Sequence, residues 1–498
     1  MTRTANFVAA DLGASSGRIM RGAWDGRAFS VNELHRFANS GVHADGGLYW
    51  DILGIWSQIR IGLTKYRSRH PEPPNGIGID AWGVDFGLLD REGRLIGNPH
   101  HYRDPRTTGI PPIVYQAIPE DKWFAETGVQ TMAINTLFQL YSMVRAQDPA
   151  LASAETLLMI PDLCTYFLCG EKTVEWSEAT TTQMYSPQQK DWARTLLRAL
   201  DIPINILPPV TPPGTLLSPV RSAVIEECGL LHSFPAIAVG SHDTASAVAA
   251  IPNMDANSVF LASGTWSLMG IEAPEANTSE EALRLGFTNE GGVDGSVLLV
   301  KNITGLWIVQ ECLRQWIHDG HNYTWGEIMS AAGDATPFPY FIDPDADQFG
   351  AECDMPRAIG EYCAATGQQV PQTVGVIVRG AFESLSLKYR SVLESLRSLT
   401  HRPLSTIRVV GGGGLNTLLC QMTADACGCL VVSGPVEAST FGNVMLQAVA
   451  TGHLSNVRSG RIAIAESVEC ATFSPHRLDR WEEAYAQFRA LLNNPCGS

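Results

Sequence analysis

The sequence predicts an α/β protein built as two similar layer domains, and three observations carry that expectation. The chain opens on strands joined by small-residue turns and then passes into alternating helical and extended stretches. A second strand, turn, strand unit of the same pattern starts near the middle. The length, 498 residues, exceeds what a single hydrophobic core serves.

Taken in order, "VAADLGASSGRIMRG" (Val8 to Gly22) is a strand that runs into glycine and hydroxyl residues and then resumes as a strand. An Asp-Gly turn at Asp25 and Gly26 leads to a third extended stretch, Ala28 to Phe37, which makes an antiparallel meander. Ile52, Ile55, Trp56, Ile59, Leu63 and Tyr66 then recur at helical spacing behind Asp51, a residue type suited to the N-cap. "GIGIDAWGVDFGLLDREGRLIG" gives two or three short strands around turns. "NSVFLASGTWSLMGIEA" (Asn257 to Ala273) repeats the opening pattern, with its turn at Ser263, Gly264 and Thr265. The junction between the domains is expected around residues 243 to 256, giving domains 1–247 and 248–498 that meet at a cleft. "STIRVVGGGGLNTLLCQMTADACG" reads as a strand, four glycines that let backbone approach a ligand, and a helix from near Asn416. Trp481 to Leu492 reads as a terminal amphipathic helix.

Composition narrows the function. A formal charge of -16 argues against general nucleic-acid binding, which needs clustered Lys and Arg. No run approaches the ~18 apolar residues of a membrane span, and the N-terminus has no secretory pattern, so a cytoplasmic protein is expected. Eleven cysteines without paired CxxC knuckles indicate neither a zinc site nor a disulfide framework; Cys427 and Cys429 read as reduced core thiols.

Several local motifs point to different chemistries. Gly13 to Gly17 matches G-x-S-x-G, the nucleophile elbow of serine hydrolases, but an elbow turns from strand into helix, and here a strand returns. Ser241, His242 and Asp243 cannot complete a triad, since chain neighbours on an extended segment face opposite ways. The glycines from Gly411 fail the dinucleotide spacing, which would require glycine where Asn416 stands. Gly170 to Thr173 lacks the glycines of a P-loop. What remains is a strand ending in Asp11 before a Gly/Ser turn, a second such turn at Gly264 and Thr265, and a late glycine loop. Together these can clamp a nucleotide, with backbone N–H groups and hydroxyls on the polyphosphate and the Asp holding magnesium through water.

The stretches "DLGASSGR", "GIDAWGVDF", "YRDPRT", "SHDTASAV", "SGTWSLMG", "TNEGG", "KNITGLW" and "GPVEASTFGN" resemble the FGGY carbohydrate kinases, from about residue 6 to residue 450. The resemblance implies two actin-like (ribonuclease H-like) ATPase domains, the first on the sugar and phosphate side and the second on the nucleotide side. It implies transfer of phosphate from ATP to C1 of L-rhamnulose, with another ketose or polyol as the alternative acceptor. An actin-like filament or chaperone-like ATPase is the rival from another class, and such a protein needs no sugar-facing base. By the same resemblance Asp243 is the general base, a role that suits a positioned carboxylate. From residue types alone Asp243 also reads as a helix cap before "TASAVAA". Gly83, His242, Thr244 and Asn302 match sugar positions. Ala14, Ser15, Ser16, Gly17, Arg18, Thr265, Gln310 and Gly412 match ATP positions, and Asp11 an outer-sphere Mg2+ position. Asp80 and Asp85 stay open between sugar-side and structural roles, and Trp82 between core and pocket wall. Leu415 departs from the expected polar pattern on the adenine side. The partners implied are the sugar and ATP, with no nucleic acid and no membrane, and a monomer is expected, with a dimer as the alternative.

Overall fold

The computed structural model describes residues 4–350, 352–476 and 478–493. Its backbone clusters into two compact units that do not follow a single cut in the chain. The first gathers Met1–Asn253, Glu272–Leu299 and Glu437–Val468; the second gathers Met254–Ile271, Val300–Val436 and Glu469–Ser498.

In the first unit, β1 (Ala5–Leu12), β2 (Ser16–Trp24), β3 (Phe29–Ala38), α1 (Ile52–Arg69), β4 (Gly76–Ala81), β5 (Thr215–Pro219) and β6 (Pro235–Ala238) frame a six-stranded sheet of order β5-β6-β4-β1-β2-β3. β1 is apolar almost throughout because it is central, antiparallel to β2 on one side and parallel to β4 on the other. Asp51 caps α1 as the sequence predicts, accepting from Gly54 N at 2.9 Å. α1 lies on one face, so close that a Cβ on Gly62 would sit 2.4 Å from Ile19. Because side chains alternate along a strand, Gly22 faces the other side, where the helix Ala438–Ala450 presses Val444 to within 2.4 Å of where a Cβ would be. The register sets Asp11 opposite Asp80 and Arg18, which gathers charged side chains at one end of the sheet. α2 (Asp243–Ala249) follows β6.

The second unit repeats the plan. β7 (Ser258–Ser263), β8 (Trp266–Ala273), β9 (Val297–Thr304), α3 (Trp307–His318), α4 (Val374–Thr400), β10 (Thr406–Val410), α5 (Thr417–Cys427), β11 (Leu430–Ser433) and β12 (Ala471–Phe473) supply strands neighbouring in the order β9-β8-β7-β10-β11-β12. As in the first sheet, a hairpin (β7 with β8) is continued by two parallel strands and closed by an antiparallel edge. The mid-chain echo of the opening stretch is therefore a true structural repeat. Asn416 caps α5, accepting from Leu419 N at 3.0 Å, and the last helix spans Leu478–Asn493.

The ten described cysteines are free, and eight of them are buried. Among the described residues no helix is long and apolar enough to cross a membrane.

Candidate active site

The end of β4 and the start of α2 are tied together by backbone. Ala81 N donates to Ser241 O at 2.8 Å, and Ala81 bridges His242 in parallel register, so the Gly83 turn and the Ser-His-Asp-Thr stretch lie side by side. Beneath them the buried Glu175 carboxylate accepts from Ser241 N and Ser177 N, each at 3.0 Å, and from Ser177 Oγ. Ser177 Oγ in turn accepts from His242 N at 2.9 Å. Burial pushes the Glu175 carboxyl up to about 7.

His242 is the N-cap residue of α2, and Asp243 is the first residue inside the helix. The capping role open to Asp243 in the sequence is thus not the one it has. Its carboxylate accepts from Thr244 Oγ1 at 3.1 Å and stays 38% exposed, reachable by a ligand. Burial raises its pKa, the charge of His242 pulls it back, and Asp11 raises it again. Thr244 and Gly83 are buried, and a Cβ on Gly83 would meet Thr181 Cγ2 at 2.7 Å. The next residue, Val84, takes φ 69°, a left-handed backbone costly for a β-branched residue. It is held there by its N–H on Thr181 Oγ1 at 3.1 Å and by Thr136 Oγ1 on its carbonyl at 2.7 Å. Asp85, fully buried, accepts from the Trp50 and Trp82 indoles at 2.6 and 3.0 Å, from Gln139 Nε2 at 2.9 Å and from Tyr102 N at 3.1 Å. Both Asp85 and Trp82 are therefore framework beside the turn.

Asp11 and the β1–β2 turn form the second part of the site. Gly13 N donates to Ser16 O at 3.0 Å, and Asn39 brackets the turn, its N on Ser15 O at 3.1 Å and its Nδ2 on Gly13 O at 2.9 Å. Gly17 leaves room for the Phe37 ring, which a Cβ there would meet at 2.1 Å. Ala14 and Ser16 are half-buried and Ser15 is exposed. Arg18 reaches Asp11 Oδ2 at 2.5 Å and also pairs with Glu437. Ser439 Oγ, at 2.8 Å, donates to the same Asp11 oxygen. Asp80, fully buried, accepts from Asn443 Nδ2 at 2.5 Å, while its Oδ1 has no hydrogen-bond partner. Burial, then the charges of Asp11 and Asp243, push its pKa well above the usual carboxylate range. An orphaned buried carboxylate oxygen beside Asp11 suits a cation held through water; among the described residues no three acidic, His or Cys side chains converge to ligate a metal directly.

In the second unit the β7–β8 turn is fixed by Gly264 N on Trp266 O at 2.9 Å, and the start of α3 docks on it through Trp307 N to Thr265 O at 3.1 Å. The glycine loop packs against the end of β7: Gly411 has φ 83°, and a Cβ on Gly413 would fall 2.0 Å from Ser263 Oγ. Gly264, Gln310 and Gly412 line one pocket of about 660 Å³ with Leu306, Trp325 and Leu415, within the usual size of small-molecule sites. Thr265 sits at its turn, half-buried. Asn302 is half-buried on β9 of this unit. The pocket also explains Leu415, which is 67% exposed yet forms part of an apolar wall.

Residues 7–250 match the N-terminal domain, and residues 259–451 the C-terminal domain, of the FGGY family of carbohydrate kinases. The chain belongs to that family. This kinase is 41% identical over 97% of its length to a rhamnulokinase of Bacteroides thetaiotaomicron, 99% of which is covered. It is 37% identical to a rhamnulokinase of Pectobacterium atrosepticum over 98% of the chain and 96% of the relative. Its fold is that of the solved gluconate kinase from Lactobacillus acidophilus (TM-score 0.82, 14% identity, 99% and 98% of the two chains). It is also that of Plasmodium falciparum glycerol kinase with ADP (TM-score 0.79, 14% identity, 99% of each). The two actin-like, ribonuclease H-like domains expected from the sequence are present in this kinase. Sequence reasoning assigned no role to Glu290, Glu437, Ser439 or Asn443, although the stretches "TNEGG" and "GPVEASTFGN" hold them; it had no means of telling which side chains meet.

Proposed function

We propose that this kinase transfers the γ-phosphoryl group of ATP to the 1-hydroxyl of L-rhamnulose, giving L-rhamnulose 1-phosphate in L-rhamnose breakdown. The observation that carries the reading is the near-full-length identity to rhamnulokinases, 41% over 484 residues. In it, Asp243 takes the proton of the attacking hydroxyl late in transfer, work that needs a carboxylate ionised at working pH and open to the ligand. Its 38% exposure supports that role, and the His242 charge offsets part of the rise that burial gives its pKa. Gly83, His242, Thr244 and Asn302 hold the sugar. Ala14 to Arg18, Thr265, Gln310 and Gly412 hold ATP, through backbone N–H groups at the turns and the pocket that Gln310 and Gly412 line. Asp11, with Asp80 beside it, would hold Mg2+ through water; when bound, the ion offsets charge on the phosphates. In this reading residues 1–247 serve the sugar and phosphate side and 248–498 the nucleotide side. The enzyme works in the cytoplasm as a monomer.

The test is coupled ADP release against a panel of ketoses and polyols, with phosphorus NMR of the product. L-rhamnulose should give the highest kcat/KM, because a hydrogen-bonding site rejects analogues with misplaced hydroxyls. The ester should be on C1. Faster turnover of xylulose or glycerol would sink the assignment.

A further inference from the structure

Glu290 lies on the strand Thr288–Gly291 in the first unit, and nothing in the reading above uses it. Its Oε2 stands 3.3 Å from Nδ1 of His242, and the other ring nitrogen, Nε2, is 3.8 Å from Asp243 Oδ1. The ring is thus strung between two carboxylates. Both Glu290 Oε2 and His242 Nδ1 are sealed from solvent, and neither makes a hydrogen bond, so what joins them is the ion pair. The strand that carries Glu290 is pinned on either side of it. Gly291 N donates to Thr180 Oγ1 at 2.6 Å, and Asn289 Nδ2 donates to Gly128 O at 2.8 Å. A Cβ on Gly291 would come 2.9 Å from Ser177 Cα, so the strand cannot back away.

We propose that Glu290 is a positioning residue of the phosphoryl-transfer site: it grips the Nδ1 edge of His242 and thereby aims Nε2–H at Asp243 and the sugar oxygen beside it. The proposal rests on Asp243 as base and His242 as sugar contact. The charges that act on the imidazole are acidic: Glu290 from its strand, Asp243 from α2, and Glu175, which caps the helix Trp176–Thr181. Burial opposes the imidazolium, but Glu290 first, then Asp243 and Glu175, outweigh it and hold the His242 pKa at about 9. Burial raises the Asp243 pKa, and the charge of His242 offsets part of that rise.

The experiment compares Glu290→Gln with Glu290→Asp and follows the His242 ring by NMR in the ligand-free protein, assigned with His242→Gln. In the wild type the ring should titrate near pH 9; in Glu290→Gln it should fall toward the ordinary histidine value, about 6.5. The Gln variant should lose about 10- to 100-fold in kcat/KM for the sugar, the size of one lost charged contact. Its KM for ATP should hold, and the alkaline limb of its sugar profile should move down by about two pH units. The Asp variant keeps the charge and should recover most of both effects, which a loss of packing alone would not allow. A wild-type ring titrating near 6.5 overturns the Glu290 link, and that measurement stands even if the Gln variant fails to fold. A ring that shifts in the Gln variant while sugar kcat/KM stays put overturns the proposal through the reading beneath it.

Discussion

Asp243 is where one residue decides between two chemistries. Asn at this position keeps size and hydrogen-bonding shape but cannot take a proton, so Asp243→Asn should lower turnover by about 10²–10⁴-fold, with ATP binding nearly intact. A folded variant that retains more than about a third of its turnover would remove Asp243 as base. Since the N-cap of α2 is His242, no capping loss complicates that comparison. Glu175, directly below, offers a measurement on stability. Its folded pKa of about 7 is raised above the ordinary 4.5, so its contribution is complete below about pH 4.5 and is lost as pH climbs through about 7. Over that range the loss is at most about 3 kcal/mol. Glu175→Gln cannot titrate; its Tm relative to wild type should therefore rise by several degrees between pH 5.5 and 8.5. An unchanged gap would mean that Glu175 does not take up its proton on folding. At this scale the sequence was legible where the signal is local, as with Asp51, which caps α1 as its position suggests. It was silent on Glu290 and Asn443, because a side chain's partner across the fold leaves no local trace.

Among elements, the helix Ala438–Ala450 does the most to hold the acidic end of the first sheet. Ser439 serves Asp11, Asn443 serves Asp80, and Gln447 Nε2 donates to Val8 O at 2.9 Å. The helix also meets α2 at Gly442, where a Cβ would fall 1.8 Å from Ser246 O, a backbone atom that cannot rotate away. Gly442→Ala should therefore push the two helices apart, at an overpacking cost of about 1–3 kcal/mol, and lower Tm by several degrees. Because α2 carries Asp243, kcat should fall as well, by more than the loss of folded protein explains. A variant of wild-type Tm and rate would show that the helices can separate freely. The hairpins and α1 were readable from turn residues and spacing, since their signals lie within a few positions. The packing of Ala438–Ala450 was not, because it depends on chain far removed in sequence.

For the molecule as a whole, the duplication was visible in advance: two stretches with one pattern became two sheets, each with a hairpin continued by two parallel strands and an antiparallel edge. The ten described cysteines are free, eight of them buried, and burial raises thiols such as Cys164 and Cys363, each to about 12. Millimolar reductant should therefore leave the rate unchanged, and an alkylating agent should label Cys353 and Cys470 well before the others. Loss of activity under reduction would expose a disulfide that the described residues do not contain. How the chain is shared out was not legible, since a cut near residue 250 looks natural in the sequence, whereas Glu272–Leu299 and Glu437–Val468 return to the first unit. That interleaving bears on the gene itself. A frame split after codon 253 would produce a first fragment without Glu290, Asn443 and Gln447, and a recombinant that borrowed only the front half from a relative would inherit a sheet whose covering helix came from another parent. What has to be matched in such an exchange is the pair of distant stretches, strand and covering helix, and not the half.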